Sequence, residues 1–200
     1  MKKLSLIFLG FMFICFWGCA TPSQKFIDIT YRADHEKIQT GKIGIATFKD
    51  NREKTDKGYI GYRILLDKSQ ETYFVKNLNL GDALTRALKI YFEENGFSAT
   101  YIDPWDLTTG GVINASKGFE QIVAGTINKF ECRAKKKGPA TDMILDIDLT
   151  LYFGIADKKT LKTIPVSLTL ERTELSFNEK KLEQFINQAL KEVIQKALTF

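Results

Sequence analysis

Residues 145–155 read LDIDLTLYFGI, and their alternation decides the fold. Leu145, Ile147, Leu149, Leu151, Phe153 and Ile155 fall on one side, with Asp146, Asp148, Thr150 and Tyr152 on the other. A strict period of two demands a strand in a sheet with one buried and one wet face. After the turn Ala156-Asp157-Lys158-Lys159 the pattern returns in Ile164, Val166, Leu168 and Leu170, so a hairpin is expected. Pro165 lacks a backbone donor, which places this second strand at a sheet edge or puts the proline at its start. Upstream, Gln121–Cys132 is a third strand candidate, turning at the basic tip Arg133 to Lys137 ahead of Gly138-Pro139.

Outward from this core, two stretches carry helical periodicity. Leu182, Phe185, Ile186, Ala189, Leu190, Val193, Ile194, Ala197 and Leu198 form one apolar stripe, and Ser176 with Glu179 resembles a capping box. Leu80, Leu84, Ala87, Leu88, Tyr91 and Phe92 form another, with Asn79 as N-cap and Gly96 as stop. Lys42–Phe48 is apolar on both faces and is expected to be a central strand. Gly58–Leu66 is an edge strand or a packed loop, Ser98–Ile102 a short strand, and residues 104–118 a long surface loop. The sum is α+β: a mainly antiparallel sheet of about four to five strands with two amphipathic helices packed on one face.

The amino terminus sets the compartment. Lys2 and Lys3 precede the uncharged run Leu4–Trp17, the layout of an export signal. It ends at Phe16-Trp17-Gly18-Cys19, which resembles the bacterial lipobox through Gly18 and Cys19, while Phe16 and Trp17 depart from its usual aliphatic and small residues. That resemblance implies diacylglyceryl on the Cys19 thiol, cleavage between Gly18 and Cys19, and acylation of the new amino terminus. Ala20, rather than an acidic residue, then implies an outer-membrane anchor with the body in the periplasm. An uncleaved membrane anchor and a plain secretory signal remain as alternatives, since Leu4–Ala20 is 17 residues, the lower edge of a span. The expected organisation is a signal peptide over 1–18, a lipidated and flexible tether over 19–40, and one α+β domain over 41–200.

Composition narrows the chemistry. Residues 1–18 hold two lysines and no acid, so processing lowers the formal charge from +5 to +3. That balance calls for no nucleic-acid partner. Three cysteines occur, at 15, 19 and 132, which leaves no internal disulfide once Cys19 is acylated. Cys132 sits near Arg133 and Lys135–Lys137, where cations favour a thiolate, but the bland reading as a small buried hydrophobe is preferred. His35 is the sole histidine and lies in the tether, which argues against a histidine triad or a multi-histidine metal site. Asp146 and Asp148 share a strand face roughly 6.5–7 Å apart. A cation or acid–base role there is outweighed by simple solvation, and Asp50-Asn51-Arg52-Glu53 lacks the spacing of a calcium loop.

The stretches "IGIATFKDNRE" and "NLGDALTRALKIYFEENGF", followed by a hairpin and a final amphipathic helix, resemble the YajG-type lipoproteins. Related layouts occur in auxiliary lipoproteins of lipid-handling ABC transporters. The resemblance implies a periplasmic body, a lipid anchor and no catalytic residues or cofactors. The expectation is therefore a non-enzymatic envelope lipoprotein acting on a protein partner in envelope assembly or maintenance. The alternative is a transport accessory that binds lipid or a transporter. Candidate contact residues are Arg133, Lys135, Lys136 and Lys137 at the basic tip, with Tyr59, Tyr62, Tyr73, Phe74 and Trp105 in irregular segments.

Overall fold

The computed structural model describes residues 23–31, 40–54, 56–77 and 79–198. The hairpin expected from alternation is there, and it is long. β7 (Gln121–Lys137), β8 (Ala140–Ile155) and β9 (Thr160–Glu174) form an antiparallel meander. Met143, Leu145, Ile147, Leu149 and Leu151 are buried on one side of β8. β9 pairs only with β8, so Pro165 lies within an edge strand, opposite Thr150.

The other edge of β7 carries two separate sets of strands. Near its start it pairs in parallel with β2 (Lys42–Ala46), which pairs in parallel with β6 (Ser98–Ile102). The two-residue β3 (Lys49–Asp50) follows, opposite Thr126 and Ile127. Near its end β7 pairs in parallel with β4 (Tyr59–Ile64), whose antiparallel neighbour β5 (Gln70–Val75) is joined in parallel by β1 (Ser23–Ile27). A bulge at Asn128 marks the boundary between the two sets. Bulges bend a strand and sharpen its twist, so the long strand turns between them.

The expected fold class is thereby corrected: the described sheet has nine strands and is mixed, with three helices. Parallel pairings join segments far apart in sequence and leave no local pattern to read. Several local expectations change with it. Ser23–Ile27 is a strand, and Ile27, Ile29 and Tyr31 are buried, so this part of the expected tether belongs to the core. β4 is internal rather than an edge, and Gln70–Val75 adds a strand, β5, beside it.

Three helices cover the sheet. α1 (Leu80–Glu94) begins as expected, with the Asp82 amide donating to Asn79 Oδ1 at 2.8 Å, and it ends before Gly96 at φ +97°. Thr85 fastens it to the chain after β2, accepting from the Phe48 amide at 2.9 Å. The long C-terminal helix α3 (Glu179–Leu198) is capped by Asn178, which accepts from the Lys181 amide, rather than by a Ser176–Glu179 box. Its Asn187 accepts from the Thr30 amide and donates to the Asp28 carbonyl, both at 3.0 Å, holding the chain beyond β1 as a strand neighbour would. Apolar faces of α1 and α3 share one core with Ile43, Ile45, Phe130 and the inner face of β8.

The expected loop over 104–118 contains the third helix, α2 (Thr109–Ala115). It lies on the opposite face, where Val112 and Ile122 fill the space over Gly154, outside the main core. Its N-cap Thr108 accepts from the Gly111 amide at 3.1 Å. Short helices with a single buried contact leave little periodicity to detect.

Candidate contact surface

The half of the sheet not covered by α2 leaves its outer face open to solvent, and two groups of side chains meet there. The first is aromatic. Phe26 on β1 and Phe74 on β5 are cross-strand neighbours with ring centres 6.1 Å apart. Tyr59 on β4 meets Phe74 edge-on at 6.0 Å, and the Lys54 ammonium stands 4.9 Å over the Tyr59 ring. Such aromatic and cation–π pairs each contribute of order 1 kcal/mol beyond area burial. Phe26 is nonetheless 48% exposed, unusual for an aromatic on a strand. Burial and the nearby Glu131 carboxylate push the Tyr59 phenol up to about 12, so it stays protonated.

The second group is charged and centres on Asp146. Its carboxylate accepts from Arg133 at 2.7 Å, Thr169 at 2.8 Å and Lys129 at 2.9 Å. The hydrogen bond from Lys129 is the main reason its carboxyl lies below the ordinary range, against the upward push of burial. Glu131, the register neighbour of Asp146, carries a second acid on this face and pairs with Lys54 at 3.6 Å. Tyr62 on β4 is the register neighbour of Arg133, which joins the two groups into one patch.

The expected site residues are divided by this geometry. Tyr59, Tyr62 and Arg133 come together on the open face. Lys135, Lys136 and Lys137 sit at the β7–β8 turn, where Lys137 pairs with Asp142 at 2.7 Å. Trp105 follows β6, beside Pro104 and Ala115 of α2, and no described contact joins it to the tyrosines. Gly18, Cys19 and His35 lie outside the described residues. Phe74 joins Tyr59 and Tyr62 on the open face, whereas Tyr73 beside it is fully buried. Phe26 escaped the sequence reading because its strand did.

Other candidate chemistries resolve into pairing and packing. Asp148 accepts from Asn128 at 3.3 Å, so the two aspartates have separate partners rather than a shared ligand. Asp50 and Arg52 form a mostly buried ion pair at 2.8 Å. Among the described residues no three acidic, histidine or cysteine side chains gather as a metal site, and no helix is long and apolar enough to cross a membrane. Cys132 is fully buried, and that burial pushes its thiol up to about 12. Iodoacetamide is therefore expected to leave Cys132 unmodified in the folded chain and to alkylate it after denaturation. Native-state labelling, read by mass spectrometry, would refute the buried, protonated thiol.

Farther along the sheet, a cleft of about 330 Å³ opens between the C-terminal ends of α1 and α3. Phe92, Phe97, Phe153, Ile164 and Leu198 form much of its wall, with Lys162 and Gln121 at the sheet end.

No family model matches the chain, and no curated protein matches it. Solved structures do. A Xanthomonas campestris protein of the DUF330 family aligns with a TM-score of 0.50 at 13% identity, over 88% of this chain and 91% of that one. An uncharacterized protein aligns with a TM-score of 0.50 at 11% identity, over 88% of this chain and 95% of its own. A hypothetical protein of Chlamydia trachomatis gives 0.46 at 9% identity, over 80% and 95%. At such identities a likeness speaks to fold alone, a coarser statement than the YajG-type resemblance: this chain is similar in fold to bacterial proteins of uncharacterized function.

Proposed function

We propose that the protein is a lipid-anchored envelope component that acts by docking a partner protein, without catalysis. The observation that carries this reading is the open-face patch. Phe26, Phe74, Tyr59, Tyr62 and Arg133 stand on rigid strands, and aromatic residues with arginine are the types enriched at protein interfaces. The patch offers cation–π and charge-assisted contacts to an acidic, apolar segment. The polar groups beside it are engaged with one another, as at Asp146, which with Lys129 and Thr169 borders a hollow in the sheet surface.

A photoreactive residue at Phe26 or Tyr62 is expected to capture one discrete envelope protein in intact cells, while the same probe at Lys158 captures none. Failure to obtain an adduct specific to Phe26 or Tyr62 would overturn the docking role. The lipid anchor rests on Gly18-Cys19, with an outer-membrane site and periplasmic body inferred from Ala20. Cys19→Ser is expected to give a soluble or uncleaved product. Normal mature size with full membrane retention would count against acylation.

A second reading, a lipid-transport accessory, would use the cleft between α1 and α3, whose aromatic wall is bordered by Asn95, Gln121 and Lys162. Its 330 Å³ lies at the low end of the range for small-ligand sites, enough for part of an acyl chain. Lipid copurifying with the chain, and lost in Phe153→Lys, would favour this reading over docking.

A further inference from the structure

The reach of the chain ahead of β1 fixes which end of the molecule meets a membrane. Cys19 and Ser23 are separated by four residue steps, which span at most ~14 Å fully extended. A lipid on Cys19 therefore holds the first residue of β1 close to the headgroups. The pairing register shows what lies beside it. Ser23 is level with Glu71, Glu71 with Arg63, and the next residue of β4, Ile64, with Lys135. Lys135 is level with Asp142, and Asp142 with Thr173. The β4–β5 turn, the β7–β8 turn and the chain leaving β9 therefore share one end of the sheet with the start of β1.

Side-chain contacts tie the same three segments together. Arg63 donates to Thr141 at 2.8 Å and lies 3.9 Å over the ring of Phe177, which follows β9. Hydrogen bonds from Ser69 hold the Asp67 carboxyl low, with a smaller contribution from Lys136 across the two turns.

This end carries two large apolar side chains left in solvent: Leu66 is 63% exposed and Leu175 is 75% exposed. Lys68, Lys135 and Lys137 are exposed around them, and Lys136 is half-buried. Lysines with protruding leucines are the composition of a surface that rests in the headgroup layer, the leucines entering and the lysines meeting anionic lipid. We propose that this end is a membrane-resting surface for anionic phospholipid headgroups, so that the sheet stands upright from the bilayer. The proposal rests on the lipid-anchor reading and adds the orientation and the lipid class. β7 alone is about 50 Å long at strand rise, so the cleft between α1 and α3, at the far end, faces away from the membrane. The lysine contacts act only within a Debye length of the surface, about 8 Å at physiological salt. The short reach from Cys19 lets this end of the sheet settle within that range.

The test uses the full, processed chain in vesicles of phosphatidylethanolamine with phosphatidylglycerol. A single cysteine is introduced by Leu66→Cys, Leu175→Cys or, at the opposite end, Lys158→Cys, and labelled with an environment-sensitive fluorophore. Buried Cys132 stays unlabelled. Headgroup-borne spin labels are expected to quench positions 66 and 175 several-fold more than position 158. The quenching is expected to fall in high salt, in phosphatidylcholine vesicles, and in a variant carrying Lys135→Gln, Lys136→Gln and Lys137→Gln. A chain that floats with the vesicles but shows no excess quenching at 66 and 175 overturns the proposal and leaves the anchor standing. Equal quenching in phosphatidylcholine overturns the assignment to anionic headgroups. A chain that does not float and carries no acyl mass on residue 19 removes the anchor instead, and the orientation with it.

Discussion

Arg52→Ala is expected to destabilise the protein by about 3–5 kcal/mol, the cost of removing one partner from a buried, hydrogen-bonded ion pair. The residue is 8% exposed, and its guanidinium is fully occupied. It donates to both oxygens of Asp50, at 2.8 and 3.0 Å, and to the carbonyls of Tyr59, Phe130 and Lys57. Those acceptors define its work. β7 is paired by β3 up to Ile127 and by β4 from Cys132, and the stretch between has no strand partner on that edge. Arg52 reaches into this gap, 3.1 Å from the Phe130 carbonyl, and joins it to the start of β4. For a domain of this size the loss corresponds to a fall in Tm of roughly 10 °C, which thermal denaturation would show. Arg52→Lys should recover little, because an ammonium cannot serve acceptors spread along a planar fork.

Asp50 gives an independent check through pH. Burial pushes its carboxyl up, but hydrogen bonds from Arg52 outweigh that and leave it below the ordinary carboxylate range. A depressed folded-state value means the contribution is complete above the unfolded value and is lost as pH falls through the folded one. Asp50→Asn should therefore lower stability at neutral pH and narrow the gap from the parent chain below about pH 3. A parent and variant that differ equally at both pH values would show that the pair does not hold this junction.

The behaviour of Arg52 also shows where the sequence stops being informative. The segment Asp50-Asn51-Arg52-Glu53 looks like a charged loop, and beyond Asp50, which ends β3, it is one by conformation. Nothing local discloses that Arg52 is buried, because its acceptors are carbonyls of residues up to 78 positions away. The β7–β8–β9 meander was legible for the opposite reason. Its turns are short, its strands alternate, and each strand's partner is its neighbour in sequence. β1 lacks both clean alternation and a partner nearby in sequence, and β5, though it follows its antiparallel partner β4, reads QETYFV, with polar residues on both faces. Missing those strands meant missing Phe26 and leaving Phe74 a candidate by type alone, with nothing to place the two rings side by side. Tyr59, Tyr62 and Arg133 could be named as candidates by type. Their assembly on one surface follows only from β4 lying beside β7, which no periodicity encodes.

That placement is itself open to a severe test at Gly61. The residue sits at the irregular start of the β4–β5 ladder with φ at +148°, a conformation L side chains rarely adopt. A Cβ there would lie 1.9 Å from the Cys132 carbonyl oxygen, which belongs to the backbone of β7 and cannot rotate away. Gly61→Ala is therefore expected to combine backbone strain with forced separation of β4 from β7, for a loss of about 3–5 kcal/mol. Gly110→Ala is the control. It lies in α2 with nothing closer than the Thr108 hydroxyl at 3.7 Å, and should gain about 0.5–1 kcal/mol from the improved helix propensity. Separation of the two strands would also uncover Cys132, so Gly61→Ala should admit iodoacetamide under conditions where the parent chain excludes it. Stability and thiol protection matching those of the Gly110→Ala chain would mean that β4 does not approach β7 this closely, and the patch joining Tyr62 to Arg133 would have to be abandoned.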